Sequence, residues 1–121
     1  MKPKRAVKKI CILGDPAVGK TSLVGRFVLE QFGEEYVSTI GARVCEKEVR
    51  LDECETKDLV QLVIWDIAGQ AKFSSFRKQF YNGAHGVILV YDMTDLATFH
   101  NIKGWYKDIK TVIGDVPVII L

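Results

Sequence analysis

A chain of 121 residues is the size of one domain, and folding it should bury roughly 65% of its unfolded surface, enough for one core. At 48% hydrophobic and 26% charged, with ten Gly and three Pro, the composition excludes a disordered tail, a collagen and a disulfide-bonded miniprotein. The formal net charge is +2, and no apolar run reaches the roughly 18 residues of a membrane helix.

The chain opens on a basic segment, with Lys2, Lys4, Arg5, Lys8 and Lys9 among its first nine residues. The other 112 residues hold 12 basic and 15 acidic side chains, a net of −3. Residues 1–6 are expected as a solvated basic tail. A membrane-surface contact stays open, but nucleic acid is disfavoured because no basic or aromatic stripe follows. The apolar run after this start is short and leads directly into a motif, so it does not read as a signal peptide.

Val7–Leu13 predicts a buried strand ending at Gly14. Leu23, Val24, Phe27, Val28 and Phe32 then mark one face of an amphipathic helix. Residues 33–41 have no clear period and read as a loop. Two strand-like runs, near Ala42–Leu51 and Leu59–Asp66, flank a polar hairpin loop at 52–58. Residues 70–82 carry Phe73, Phe76, Phe80 and Tyr81 at helical spacing. His85–Asp92 reads as a buried strand. Asp95 caps the next helix, whose face is Phe99, Ile102, Trp105 or Tyr106, Ile109 and Val112, and Gly114 ends it. Val116–Leu121 is the last strand. The order β-α-β-β-α-β-α-β predicts a three-layer α/β fold with a mostly parallel sheet and one antiparallel edge strand. Cys11, Cys45 and Cys54 form an odd set without CxxC spacing; they suit a reducing compartment and fill space. His85 and His100 have no ligand spacing around them and read as structural.

Gly14-Asp15-Pro16-Ala17-Val18-Gly19-Lys20-Thr21 fits G-x-x-x-x-G-K-[ST] without mismatch, between a predicted strand and a predicted helix. The glycines permit a tight loop whose N–H groups converge on a phosphate oxygen, and the following helix points its positive end at the same anion. Lys20 brings a full charge to the β and γ phosphates, and the Thr21 hydroxyl is a candidate Mg²⁺ ligand. Pro16 removes one N–H donor, so that donor is expected not to face phosphate.

Val63–Gln70 is an apolar strand ending in D-x-x-G-Q. Asp66 can hold Mg²⁺ through water, or cap a turn. Gly69 can offer a close N–H to a γ-phosphate. Many phosphate-loop ATPases carry a glutamate base directly after the strand-end Asp, whereas Ile67 stands here. Gln70 is then the polar group placed to orient an attacking water, which disfavours a kinase or ATPase. Thr39, in Tyr36-Val-Ser-Thr39-Ile-Gly41, is a candidate second Mg²⁺ ligand or a solvent-facing loop residue.

These motifs, with GDPAVGKTSL, YVSTIG, IWDIAGQ, YNGAHGVILVYDMTD and TFHNIKGWYKDI in this order, resemble the small GTPases of the Ras superfamily, nearest the Rab branch. The resemblance runs from about Val7 to Leu121. It implies a P-loop GTPase fold forming one G domain over residues 1–121, and a slow GTP/GDP switch acting in membrane traffic or signalling. Lys20 and backbone groups of Ala17 to Ser22 would cradle phosphate. Thr21 and Thr39 would ligate Mg²⁺, Asp66 would do so through water, Gly69 would contact the γ-phosphate and Gln70 would align the water. Gly14, Asp15, Pro16, Val18, Gly19 and Tyr36 complete the expected nucleotide contacts. Phe32 matches the aromatic that packs on guanine, or is the last core residue of its helix. Residues 33–41 and 67–80 would be switch I and switch II.

The resemblance further implies effectors, exchange factors and GTPase-activating proteins as partners. It suggests a cytoplasmic location, peripheral to membranes in a full-length form. Val44 stands where an aromatic would join Trp65 and an aromatic near Tyr81 in an effector patch. The Asn-Lys-x-Asp base-reading motif and a lipidation cysteine are expected beyond Leu121, so the G domain is expected to be incomplete at its C-terminus. The alternative is a truncated or swapped fragment, able to oligomerise, that acts as a binding module without hydrolysis.

Overall fold

The computed structural model describes residues 5–16, 18–19, 23, 25–26, 35–37, 42–50, 59–69 and 74–121, with backbone alone at 35–37 and 74–76. In chain order these contain β1 (Arg5–Gly14), β2 (Glu35–Val37), β3 (Ala42–Arg50), β4 (Leu59–Ile67), α1 (Ser74–Tyr81), β5 (Gly86–Val90), α2 (Leu96–His100), α3 (Ile102–Ile113) and β6 (Val118–Ile120). Leu23, Gly25 and Arg26 are also helical, after the first glycine-rich motif.

One six-stranded sheet runs β2-β3-β4-β1-β5-β6. The β4–β1, β1–β5 and β5–β6 pairs are parallel, while β2–β3 and β3–β4 are antiparallel. This is the mostly parallel α/β sheet that the alternation of strands and helices predicts. Its centre is β1, whose last four residues are buried without interruption, as a strand covered on both faces requires.

Four local features differ from the sequence expectations. Arg5 and Ala6, expected within a basic tail, pair with Leu59 and Val60 in the sheet. Arg5 also donates to Gln61 Oε1 at 3.1 Å and lies 3.8 Å from Glu48. Within the 33–41 segment expected as loop, β2 pairs with β3; three residues are too few to display a period of two. The helix expected after Asp95 divides at Asn101, whose ψ of −11° departs from the helical value. The last strand is confined to Val118–Ile120.

The predicted helix start and stop hold. Asp95 Oδ1 accepts from Ala97 N at 3.2 Å, capping α2. Gly114, at φ 73°, closes α3 with its N–H on the Lys110 carbonyl. The β3–β4 hairpin is paired to Arg50 opposite Leu59, while its polar loop lies outside the described residues.

Two apolar layers sandwich the sheet. On one face, Cys11, Leu13, Val87 and Leu89 pack against Phe80 and Tyr81 of α1 and against Ile102, Trp105 and Ile109 of α3. The open choice between Trp105 and Tyr106 is thus resolved: Trp105 is buried and Tyr106 exposed. Phe99, expected on the buried face, is half exposed and packs edge-on to Tyr91 at 5.1 Å. On the other face, Ile12, Cys45, Ile64 and Val90 form a smaller cluster with Val18. Leu23 stands on this same side, bordering an apolar hollow lined by Ile10, Ile12, Ile64 and Ile88.

Candidate functional site

The parallel strands β4, β1 and β5 end side by side. Ile12 is in register with Asp66, and Gly14 with Val90. The segments that leave β1 and β4 therefore emerge together at the carboxyl end of the sheet, where open α/β sheets bind ligands.

Glycine is required at three points there. A Cβ on Gly14 would collide with the Val90 carbonyl oxygen. Gly19 sits at φ 96°, a backbone that other residues adopt at a cost. A Cβ on Gly69 would collide with the Gly14 carbonyl oxygen and stand 3.1 Å from both Asp15 C and Pro16 N. The D-x-x-G glycine thus lies directly on the start of the phosphate loop. Pro16 N thus lies on the Gly69 side of the loop's start. The Gly19 carbonyl accepts from Leu23 N at 2.9 Å, so a helical turn starts at the loop's second glycine. Val18 anchors the loop's middle on the Ile12–Ile64 cluster.

Asp66 is 6% exposed; among the described residues it and Thr98 are the buried polar side chains. Register sets Tyr36, Arg43, Asp66 and Ile12 in one row across β2, β3, β4 and β1. Cross-strand partners share a face, so Arg43 and Asp66 project to the same side of the sheet.

Asp15, expected among the nucleotide contacts, follows Gly14 directly. Its side chain is engaged by the helical layer: Asn101 Nδ2 donates to Oδ2 at 2.6 Å, and Trp105 Nε1 donates to Oδ1 at 2.9 Å. Neither partner is signalled by a motif, since they lie 86 and 90 residues away; the one hint is the polar Asn101 interrupting a helical pattern. Ala17, Lys20, Thr21, Ser22, Phe32, Thr39 and Gln70 lie outside the described residues, and Tyr36 is given by its backbone alone.

The aromatic expected near Tyr81 to accompany Trp65 is Phe80, whose ring centroid lies 5.4 Å from that of Trp65. Val44 is the cross-strand neighbour of Trp65. Tyr81 instead turns inward and donates from its hydroxyl to Asp108 at 2.8 Å. Burial, reinforced by the Asp108 carboxylate, pushes its phenol well above the ordinary range. Lys9 lies over the Trp65 ring at 4.4 Å and donates to the Asn82 carbonyl at 2.7 Å. Partial burial lowers its ammonium from the usual lysine value.

Cys11 and Cys45 are buried in the two apolar layers, as expected of space-filling residues. Burial raises the Cys11 thiol to about 11. His85 bridges strands, its Nδ1 accepting from Lys9 N at 2.9 Å and its own N–H reaching Lys9 O. Among the described residues, no helix is long and apolar enough to cross a membrane, and no His, Cys, Asp and Glu cluster of three has metal-site geometry.

A glycine-cradled loop between β1 and a helix, abutted by D-x-x-G at the end of β4, defines a phosphate-loop α/β protein. The model of the Ras family matches residues 9–121, and the chain belongs to that family. Within it the chain is Rab-like. It is 42% identical over 89% of its length to "Ras-related protein RABG3b" of Arabidopsis thaliana, covering 51% of that protein. It is 44% identical over 84% of its length to "GTP-binding protein ypt1" of Schizosaccharomyces pombe, covering 48%. To "Ypt/Rab-type GTPase YPT7" of Saccharomyces cerevisiae it is 43% identical over 84% of its length, again covering 48%. The chain spans about half the length of the curated relatives it matches.

Proposed function

We propose that the chain carries the phosphate-binding, Mg²⁺-binding and switch segments of a Rab-like GTP/GDP switch with slow GTP hydrolysis, acting in membrane traffic. The observation that carries this reading is the seat of Gly69 on the backbone of Gly14, Asp15 and Pro16. It joins the two motifs that must meet at one phosphate. Backbone packed this closely at Gly14 and Gly69, with a helical turn opening at Gly19, fits a loop that wraps a phosphate chain. A buried Asp66 at the strand end fits a cation beside it.

Thr21, Thr39 and Asp66 are the residues that would hold Mg²⁺, which supplies charge neutralisation at the phosphate oxygens. Lys20 binds the β and γ phosphates as a point charge. Gln70 holds the attacking water in line with the bond to be broken. Switch I and switch II, residues 33–41 and 67–80, present the nucleotide state to effectors, with Trp65 and Phe80 as an aromatic patch beside them. Activating proteins and exchange factors act on the same segments.

Purified chain is denatured and the released nucleotide identified. One mole of GDP or GTP per mole of chain, with slow release of phosphate from added Mg·GTP, is the expected result. Absence of released nucleotide together with no Mg·GTP binding would overturn the switch reading for this chain and favour a binding module without hydrolysis.

A further inference from the structure

Asp15 stands second in the phosphate loop, yet both of its carboxylate oxygens are taken by the helical layer. Asn101 Nδ2 donates to one at 2.6 Å and Trp105 Nε1 to the other at 2.9 Å. Asn101 is the residue at which the helix divides, and its side chain makes no bond to cap α3. Trp105 is nine-tenths buried, and the Arg77 guanidinium of α1 lies over its ring, 4.8 Å from the centroid. A carboxylate turned into a loop that receives an anion would repel it. Two neutral donors hold this one outward, in charge-assisted bonds that are stronger and more directional than neutral ones.

We infer that Asp15 is a positioning residue for phosphate binding, anchoring the start of the loop to the α2–α3 junction through Asn101 and Trp105; this rests on the proposed reading of the loop as a phosphate cradle. Its carboxylate acts through the backbone. Holding the side chain outward fixes Gly14–Pro16 in the position where Gly69 meets them. Trp105 serves the loop with its N–H and α1 with its ring, so the loop and the helix that follows D-x-x-G-Q are tied to one side chain.

The 121-residue chain is compared with Asp15→Asn, Asn101→Asp and the double variant. Asparagine at 15 keeps one acceptor but turns an amide N–H₂ toward a donor. Aspartate at 101 sets two carboxylates against each other. Exchanged together, the pair bonds again: the amide oxygen accepts from Trp105 while the amide N–H₂ donates to the new carboxylate. Two quantities are read: amide hydrogen exchange over residues 14–19 without nucleotide, and affinity for Mg²⁺ and a ribose-labelled fluorescent GDP.

Each single substitution is expected to speed exchange over 14–19 and weaken GDP binding by roughly tenfold or more, and the double to recover most of both. Unchanged affinity in the singles, or a double variant as impaired as the two losses combined, would overturn the anchor. Should the unsubstituted chain bind no GDP, the switch reading fails, and the anchor is judged on exchange alone. Faster exchange in the singles and recovery in the double then supports it, and unaltered exchange rejects it. Should a single variant not fold, a folded double variant with native exchange supports the pairing, and a double that also fails rejects it.

Discussion

Gly69 shows how much one missing methyl group can decide. Its Cα faces the Gly14 carbonyl so closely that a Cβ has no room, and the obstructing atoms are backbone, which cannot rotate aside. Gly69→Ala should therefore displace the phosphate loop or the end of β4, at a cost of roughly 1–3 kcal/mol. A urea titration, with nucleotide affinity measured in parallel, checks this. A variant with native midpoint and native affinity would mean that the loop has slack the structure does not show. The glycines were legible as positions without room for a side chain, and Asp66 as a strand-end carboxylate. The direction of Asp15 was not, because a side chain's partner 90 residues away leaves no trace in local spacing.

At the scale of elements, the interface of β1, α1 and α3 carries two groups whose ionisation burial opposes, Cys11 and Tyr81. Cys11 also donates to the Phe80 carbonyl at 3.5 Å, so its neutral form is the bonded one. Both groups are raised above their unfolded values. Their contribution is accordingly complete below about pH 9 and is lost as pH climbs through the folded values, near 11 for Cys11. For Cys11 alone the loss amounts to about 2–3 kcal/mol. Chemical stability measured at pH 8 and at pH 10.5 should fall between the two, and Cys11→Val should reduce that fall. An equal fall in the variant would clear Cys11 of the effect. The helical face itself was readable from its spacing, but the choice of Trp105 over Tyr106 was not. Adjacent positions lie 100° apart on a helix, and the angle at which α3 meets the sheet decides between them.

At the scale of the whole molecule, among the described residues β6 lies at one edge of the sheet, paired to β5. Ile119, Ile120 and Leu121 are 58%, 52% and 51% exposed there. An apolar edge that no described residue covers or pairs is a template for another chain. The described chain should self-associate at micromolar concentration, and Ile120→Lys should slow this while leaving the melting temperature nearly unchanged. Light scattering against time, at matched concentrations, makes the comparison. Equal rates would place the sticky surface elsewhere.

The sequence by itself determined the α/β class, the helix cap at Asp95, the helix end at Gly114 and the glycine pattern of the loop that leaves β1, because these are local matters. Periodicity reports burial, caps report helix ends, and a phosphate cradle is written in consecutive residues. Tertiary structure alone decided that β2 adds an outer strand, that Phe80 and not Tyr81 meets Trp65, and that the loop is moored by Asn101 and Trp105. Each of these depends on where distant segments are brought by packing on a shared sheet. The energy of such contacts resides in the meeting of two surfaces, and neither segment encodes that alone.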